Sequence, residues 1–272
     1  MRTHTAPGGG GCRLHVEEAG NPEGRPILFI HGFSQCRLSW SRQLESDLAD
    51  DFRLVAIDIR GHGLSEKPRD AYGDSKLWAD DVRAVIAGLN LDRPILSGWS
   101  YGSLNICDYL RVYGEDRIGG INLVAAISKL GTEQALSVIT PEFLTLVPGF
   151  FSNDVMESIG ALEAFIRMVV PEIPPADFYA MLGFNAIVPP YVREALFSRS
   201  IDNDDVLSRL QRPVVITHGV DDAIVRPTAA EQHTAAIRHA RLSLYPGVGH
   251  APFWEDAARF NRELRELAAA QP

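Results

Sequence analysis

The residues best placed to do chemistry are Gly98-Trp99-Ser100-Tyr101-Gly102. The pentapeptide follows a short apolar run, Pro94–Gly98, and precedes a helical pattern of Leu104, Cys107, Tyr109 and Leu110. A G-x-S-x-G turn between strand and helix is tight enough to need glycine on both sides. It strains the serine and lifts its hydroxyl clear of the sheet. The helix start beneath it favours developing negative charge. Outside that context the same five residues would be a glycine-flanked surface turn. A serine hydroxyl needs a base to become a nucleophile. Of the eight histidines, His4 and His15 lie in the lead-in and first strand, His31 and His62 in glycine-containing turns, and His218 at a strand end. His233 and His239 fall on a predicted helix and are expected to be solvated. His250, in Gly247–Trp254, lies between the last strand and the last helix, at the same sheet edge as Ser100. The base in turn needs an orienting carboxylate. Asp221 and Asp222 both stand just past the strand Pro213–His218; Asp222 is preferred, with Asp221 solvated or capping the turn.

The elements that hold these residues alternate. Short β-rich runs at Arg13–Glu18, Pro26–Ile30, Arg53–Ile57, Pro94–Gly98, Ile121–Ile127, Pro213–His218 and Arg241–Tyr245 are separated by helical patterns. Runs such as Ile27-Leu28-Phe29-Ile30 read as strands buried on both faces. Trp78, Val82, Val85, Ile86 and Leu89 share one helical face, as do Phe253, Ala257, Phe260, Leu264 and Leu267. The pattern predicts an α/β fold with a mostly parallel twisted sheet and helices on both faces. It breaks between Lys129 and Asp205, a stretch with seven prolines, seven of the twelve phenylalanines and no strand pattern. That stretch is too long for a loop. The expected organisation is a catalytic core of residues 1–128 and 206–272 interrupted by a helical cap insert at 129–205. The Met1–Cys12 segment is taken as a polar, glycine-rich lead-in.

Composition sets the limits. The 272 residues are 46% hydrophobic and 22% charged, with a formal net charge of −9. No basic run offers a phosphate-backbone site, so a nucleic-acid partner is not expected. The apolar runs fall far short of a membrane span, so no membrane partner is expected either. Cys12, Cys36 and Cys107 show no zinc or redox spacing. With no signal-like segment at the N-terminus, the expected location is cytoplasmic. A homo-oligomer is left open. Asp58–Ser65 tempts as a phosphate loop, but no Gly-Lys-Ser/Thr follows, and it is read as architecture.

Over nearly its whole length the sequence resembles the α/β-hydrolase superfamily. The resemblance rests on His31-Gly32-Phe33, Asp58–Ser65, the serine turn, His218-Gly219 with Asp222, and Gly249-His250. The order Ser100, Asp222, His250 is that of the superfamily. Its H-G-x-x-D pattern supports Asp222 over Asp221. The resemblance also implies an oxyanion hole made by the backbone N–H groups of Phe33 and Tyr101, with no metal and no organic cofactor. The nearest likeness is to the cofactor-free bacterial esterases, lactonases and non-haem haloperoxidases. It implies hydrolysis of a carboxylic ester, or a similar acyl bond, of a small, largely apolar substrate through an acyl-enzyme on Ser100. Lactone, amide or C–C bond hydrolysis with the same triad, a perhydrolase side activity, and a non-catalytic receptor on this fold are the competing readings. Serine at position 100, where dehalogenases and epoxide hydrolases carry aspartate, argues against those two chemistries. The aromatic- and Met-rich insert suggests an apolar acyl or alcohol part. Leu130–Ser200 carries eight acidic and three basic residues, which disfavours a strongly anionic substrate unless Arg167, Arg193 or Arg199 reaches the site.

Overall fold

A short extended run of aliphatic residues with no polar face is buried on both sides and satisfies its backbone when it lies in the middle of a sheet. Here the run Ile27–Ile30 sits between two parallel neighbours and is wholly buried. In this computed structural model, which describes residues 1–270, ten strands follow in chain order. They are β1 (Arg2–Pro7), β2 (Arg13–Gly20), β3 (Arg25–Ile30), β4 (Phe52–Ile57), β5 (Ile95–Trp99), β6 (Gly120–Val124), β7 (Lys129–Leu130), β8 (Ile201–Asp202), β9 (Val214–Gly219) and β10 (Arg241–Tyr245). Eight of them form one sheet in the order β1-β2-β4-β3-β5-β6-β9-β10. Only β2 runs antiparallel to its neighbours β1 and β4. Because β3 lies between β4 and β5, the chain leaves β3 and β5 in opposite directions across the sheet. A crevice opens where such connections part.

Helices cover both faces of the sheet. Helix Ser75–Gly88 buries Trp78, Val82, Val85 and Ile86 and packs on helix Gly102–Tyr113. Near the C-terminus the expected single apolar face is divided. Helix Pro252–Glu255 buries Phe253 and ends at Asp256, whose carboxylate accepts from Arg259 N at 3.2 Å and caps helix Ala257–Ala269. Among the described residues no helix is long and apolar enough to cross a membrane.

The lead-in is not loose. Residues 2–7 form β1, paired antiparallel with β2, and Gly9 is buried with its amide 2.8 Å from Asp81 Oδ1. A Cβ on Gly9 would fall 2.4 Å from Leu77 O, which explains the glycine there. The strand expected over Ile121–Ile127 ends at Val124; Ala125 turns to φ 42° and donates to Thr217 O.

Between β7 and β8 the chain forms six helices: Glu133–Val138, Pro141–Leu144, Val147–Phe151, Val155–Val169, Pro175–Ala186 and Pro190–Phe197. The prolines open these helices. Pro141, Pro148, Pro175 and Pro190 stand in first turns, where a missing N–H costs nothing. Thr132, Thr140 and Asp154 cap three of the helix starts with their side chains. The stretch is not strand-free, however. Its two ends pair as the two-residue ladder β7–β8, Lys129 opposite Asp202 and Leu130 opposite Ile201. Phe143, Phe150, Phe165 and Phe197 gather around Phe33 of the core, with Phe33–Phe197 ring centres 5.0 Å apart.

Candidate active site

Ser100 opens the two-residue joint between β5 and helix Gly102–Tyr113, with φ 52°. A side-chain-bearing residue held in the left-handed region costs on the order of 1–2 kcal/mol, so its surroundings must enforce it. Steric limits on both sides do so. A Cβ on Gly98 would lie 2.6 Å from Ile106 Cδ1, and one on Gly102 would lie 2.3 Å from Ile30 O. The Ser100 amide is fixed by Val124 O at 2.8 Å, and Ser103 Oγ donates back to Gly98 O at 3.0 Å. Ser103 thus adds a hydrogen bond across the turn as well as being small.

His250 and Asp222 meet from two different loops. His250 Nδ1 stands 2.7 Å from Asp222 Oδ2, with both side chains buried. Donating from Nδ1 to a carboxylate leaves the Nε2 lone pair free to take a proton. Asp222 Oδ1 accepts the amides of Ile224 (2.8 Å) and Val225 (2.9 Å). Burial alone would raise this carboxyl; the His250 charge and the hydrogen bonds from His218 and His250 outweigh it and hold it well below the usual carboxylate range. Asp221 is exposed, its amide bonded to Val248 O at 3.0 Å. Trp99, immediately before Ser100, is buried and donates from Nε1 to His250 O at 2.9 Å. It therefore packs under the turn, against Phe253, and braces the histidine loop.

Two supporting side chains have no role assigned from sequence. His218 shares its Nε2–H between Val225 O (2.9 Å) and Asp222 Oδ2 (3.2 Å). Glu255 Oε1 accepts the Gly249 amide at 2.9 Å and pins the loop before His250. The His-Gly pair four positions before Asp222 was the available signal for His218. For Glu255 the signal was only an acidic residue in the first turn of a helix. His233, expected in solvent, is instead buried, with Nε2 3.0 Å from Ser128 Oγ and its ring pushed down to about 4 by burial.

The loop after β3 brings Gly32 against the serine: a Cβ there would sit 3.2 Å from Ser100 Cβ. Phe33 and Tyr101 both flank Ser100 in the cavity described below. Backbone contacts hold this loop. His31 donates from Nδ1 to Gly32 O (2.8 Å) and accepts the Ile59 amide at Nε2 (3.1 Å). His62 donates from Nδ1 to Arg60 O (3.0 Å) and accepts the Ser34 amide at Nε2 (3.2 Å). Burial depresses both rings to about 3, so both are neutral. Asp58 gathers Arg37 N, Arg37 Nη1 and Leu64 N at 2.8–2.9 Å. A Cβ on Gly63 would strike that carboxylate at 2.1 Å. The Asp58–Ser65 stretch is architecture for the loop bearing Phe33. Cys36 and Cys107 are buried, and burial raises both thiols well above their ordinary value, Cys36 to about 12.

Above Ser100 lies a cavity of about 160 Å³, walled mainly by Phe33, Ile127, Leu136, Phe143, Phe197 and Val225. None of the three arginines of the inserted segment lines it. Arg167 lies over the Phe178 ring at 4.5 Å, and Arg199 is paired with Asp108 at 2.7 Å. Arg193 is buried, with Nε and Nη1 lacking a hydrogen-bond partner.

A parallel sheet with a strained serine turn, a buried His–Asp pair and an apolar cavity defines a hydrolase of the α/β type. The chain belongs to the alpha/beta hydrolase family, whose model matches residues 27–263. It is similar in structure to the esterase RhEst1 from Rhodococcus sp. ECU1013, at 37% identity over the whole of both chains and a TM-score of 0.95. A putative aryl esterase from Burkholderia cenocepacia matches at 34% identity over 98% of each chain, with a TM-score of 0.92. In sequence it is 26% identical to the bifunctional esterase/perhydrolase DCH of Acinetobacter calcoaceticus, over 89% of this chain and 91% of that protein.

Proposed function

We propose that the protein is a carboxylic ester hydrolase working through an acyl-enzyme on Ser100, with His250 as base and Asp222 as its orienting acid. The observation that carries this reading is the His250–Asp222 bond at 2.7 Å, which fixes the tautomer a general base needs. His250 takes the proton from Ser100 as its oxygen attacks the ester carbonyl. Asp222 stabilises the imidazolium that forms. The amides of Phe33 and Tyr101 receive the oxyanion, each worth about 3 kcal/mol by analogy with measured donors. The same proton then passes to the leaving alcohol, and water repeats the cycle to release the acid.

The similarity to RhEst1 and to the Burkholderia protein supports ester chemistry. The cavity supports a compact, uncharged, apolar substrate group, because its walls are aliphatic and aromatic and its one cation, Lys129, is already held by Asp204 at 2.6 Å. The inserted segment, residues 129–205, acts as a cap that supplies Leu136, Phe143 and Phe197 to those walls. Steady-state hydrolysis of p-nitrophenyl butyrate tests the reading. Turnover by the wild-type protein that falls at least about a thousandfold in Ser100→Ala supports it; turnover unchanged in Ser100→Ala refutes it.

A further inference from the structure

Tyr101 follows Ser100 directly, yet its side chain ends on the inserted segment. Its hydroxyl donates to Leu196 O at 3.4 Å and accepts from Arg199 Nη1 at 3.2 Å. Leu196 lies in the last turn of helix Pro190–Phe197, and Arg199 lies two residues before β8. Arg199 has further partners through its two terminal nitrogens. Its Nη2 stands 2.7 Å from Asp108 Oδ2 and 3.0 Å from Ser75 Oγ, and its guanidinium lies over the Trp78 ring at 5.2 Å. Asp108 belongs to the helix that begins at Gly102. The Arg199 and Asp108 side chains are each 1% exposed. The entry of the inserted segment reaches the same point: a Cβ on Gly131 would lie 2.7 Å from Arg199 O.

A buried ion pair adds little net stability, because desolvation offsets the attraction between the charges. What it does supply is a fixed geometry, and the planar guanidinium fork can hold several acceptors at once. Here the fork holds Asp108, Ser75 and Tyr101 in one arrangement. The exit of the inserted segment is thereby tied to the residue that follows Ser100.

We propose that Arg199 is a positioning residue: through the Tyr101 hydroxyl it couples the seating of the inserted segment to the placement of the Tyr101 amide beside Ser100. This rests on the reading of that amide as an oxyanion donor. An amide displaced by a fraction of an ångström loses oxyanion stabilisation without losing substrate contacts, so the effect falls on kcat and not on KM.

Tyr101→Phe removes only the hydroxyl. Arg199→Lys keeps a positive charge for Asp108 but cannot reach Asp108, Ser75 and Tyr101 together. Both variants and the double variant are assayed with p-nitrophenyl butyrate, with active sites counted by burst titration, so that loss of folded protein does not enter kcat. Each single variant is expected to lower kcat per titrated site about tenfold, with KM within about twofold. The double variant is expected to be no slower than the slower single, because both changes cut one link. Wild-type kcat per site in either single variant, or losses that multiply in the double, overturns the proposal. Unchanged turnover in Ser100→Ala is a separate result: it overturns the acyl-enzyme reading, and the role of Arg199 with it.

Discussion

His250 Nδ1 lies 2.7 Å from Asp222 Oδ2, although the two residues are 28 positions apart in the sequence. Asp221, one residue away, is exposed. The pairing predicts a large asymmetry between the two aspartates. Asp222→Asn is expected to lower kcat by about 10³–10⁴-fold, because an amide imposes the wrong tautomer on His250. Asp221→Asn is expected to stay within about twofold. Kinetics on p-nitrophenyl butyrate check this, and the reverse ranking would move the acid by one residue.

Asp222 is also held by His218, 3.2 Å from the same oxygen. His218→Phe fills the space but leaves Asp222 one donor short, and is expected to lower kcat about tenfold. His218→Gln, which keeps a donor, is expected to recover part of the loss. Full activity in the phenylalanine variant would show that Asp222 is oriented without the second ring.

The loop carrying Phe33 depends on His31 and His62 staying neutral, since each ring accepts a backbone amide at Nε2. Burial depresses both to about 3, whereas in the unfolded chain each takes a proton below about 6.5. Stability from these rings is therefore fully present above about pH 6.5. It is lost as pH falls from there towards 3, by up to about 1.4 kcal/mol per pH unit for each ring. Ring-proton NMR between pH 8 and 5 is expected to show no titration at either site, and the urea midpoint is expected to drop over the same range. A titration midpoint near 6.5 at either ring would contradict this.

Phe143 closes the cavity from the inserted segment and packs on Phe150 at a ring distance of 5.8 Å. Phe143→Ala is expected to shift the ratio of kcat/KM for octanoate over butyrate esters upward by about tenfold. It is also expected to lower stability by up to about 3 kcal/mol. An unaltered chain-length profile would mean the acyl group binds elsewhere.

The site was more legible in sequence than its supports. Ser100, Asp222 and His250 each lie at a strand end or in a loop whose glycines and spacing mark it, and the structure brings Asp222 and His250 together and sets Ser100 on its strained turn. The long apolar runs likewise announced β3 and its neighbours. The first strand was missed because Arg2–Pro7 buries only Ala6 and owes its conformation to pairing with β2, a long-range contact that composition does not carry. The β7–β8 ladder is two residues long, too short for any period to register. A lone histidine on a helix gives no sign of which face it takes, so sequence alone puts His233 in solvent, whereas the fold buries it. Sequence leaves Arg199 available to substrate; the fold sets Asp108, 91 positions earlier, beside it.

A covalent intermediate on Ser100 is tested by intact-mass and peptide-mapping analysis after reaction with p-nitrophenyl diethyl phosphate. One diethylphosphoryl group per chain is expected, located on Ser100, with one equivalent of p-nitrophenol released and ester hydrolysis abolished in step. A modified protein that retains full ester turnover, or an adduct on a residue other than Ser100 that accounts for the loss of activity, would contradict it.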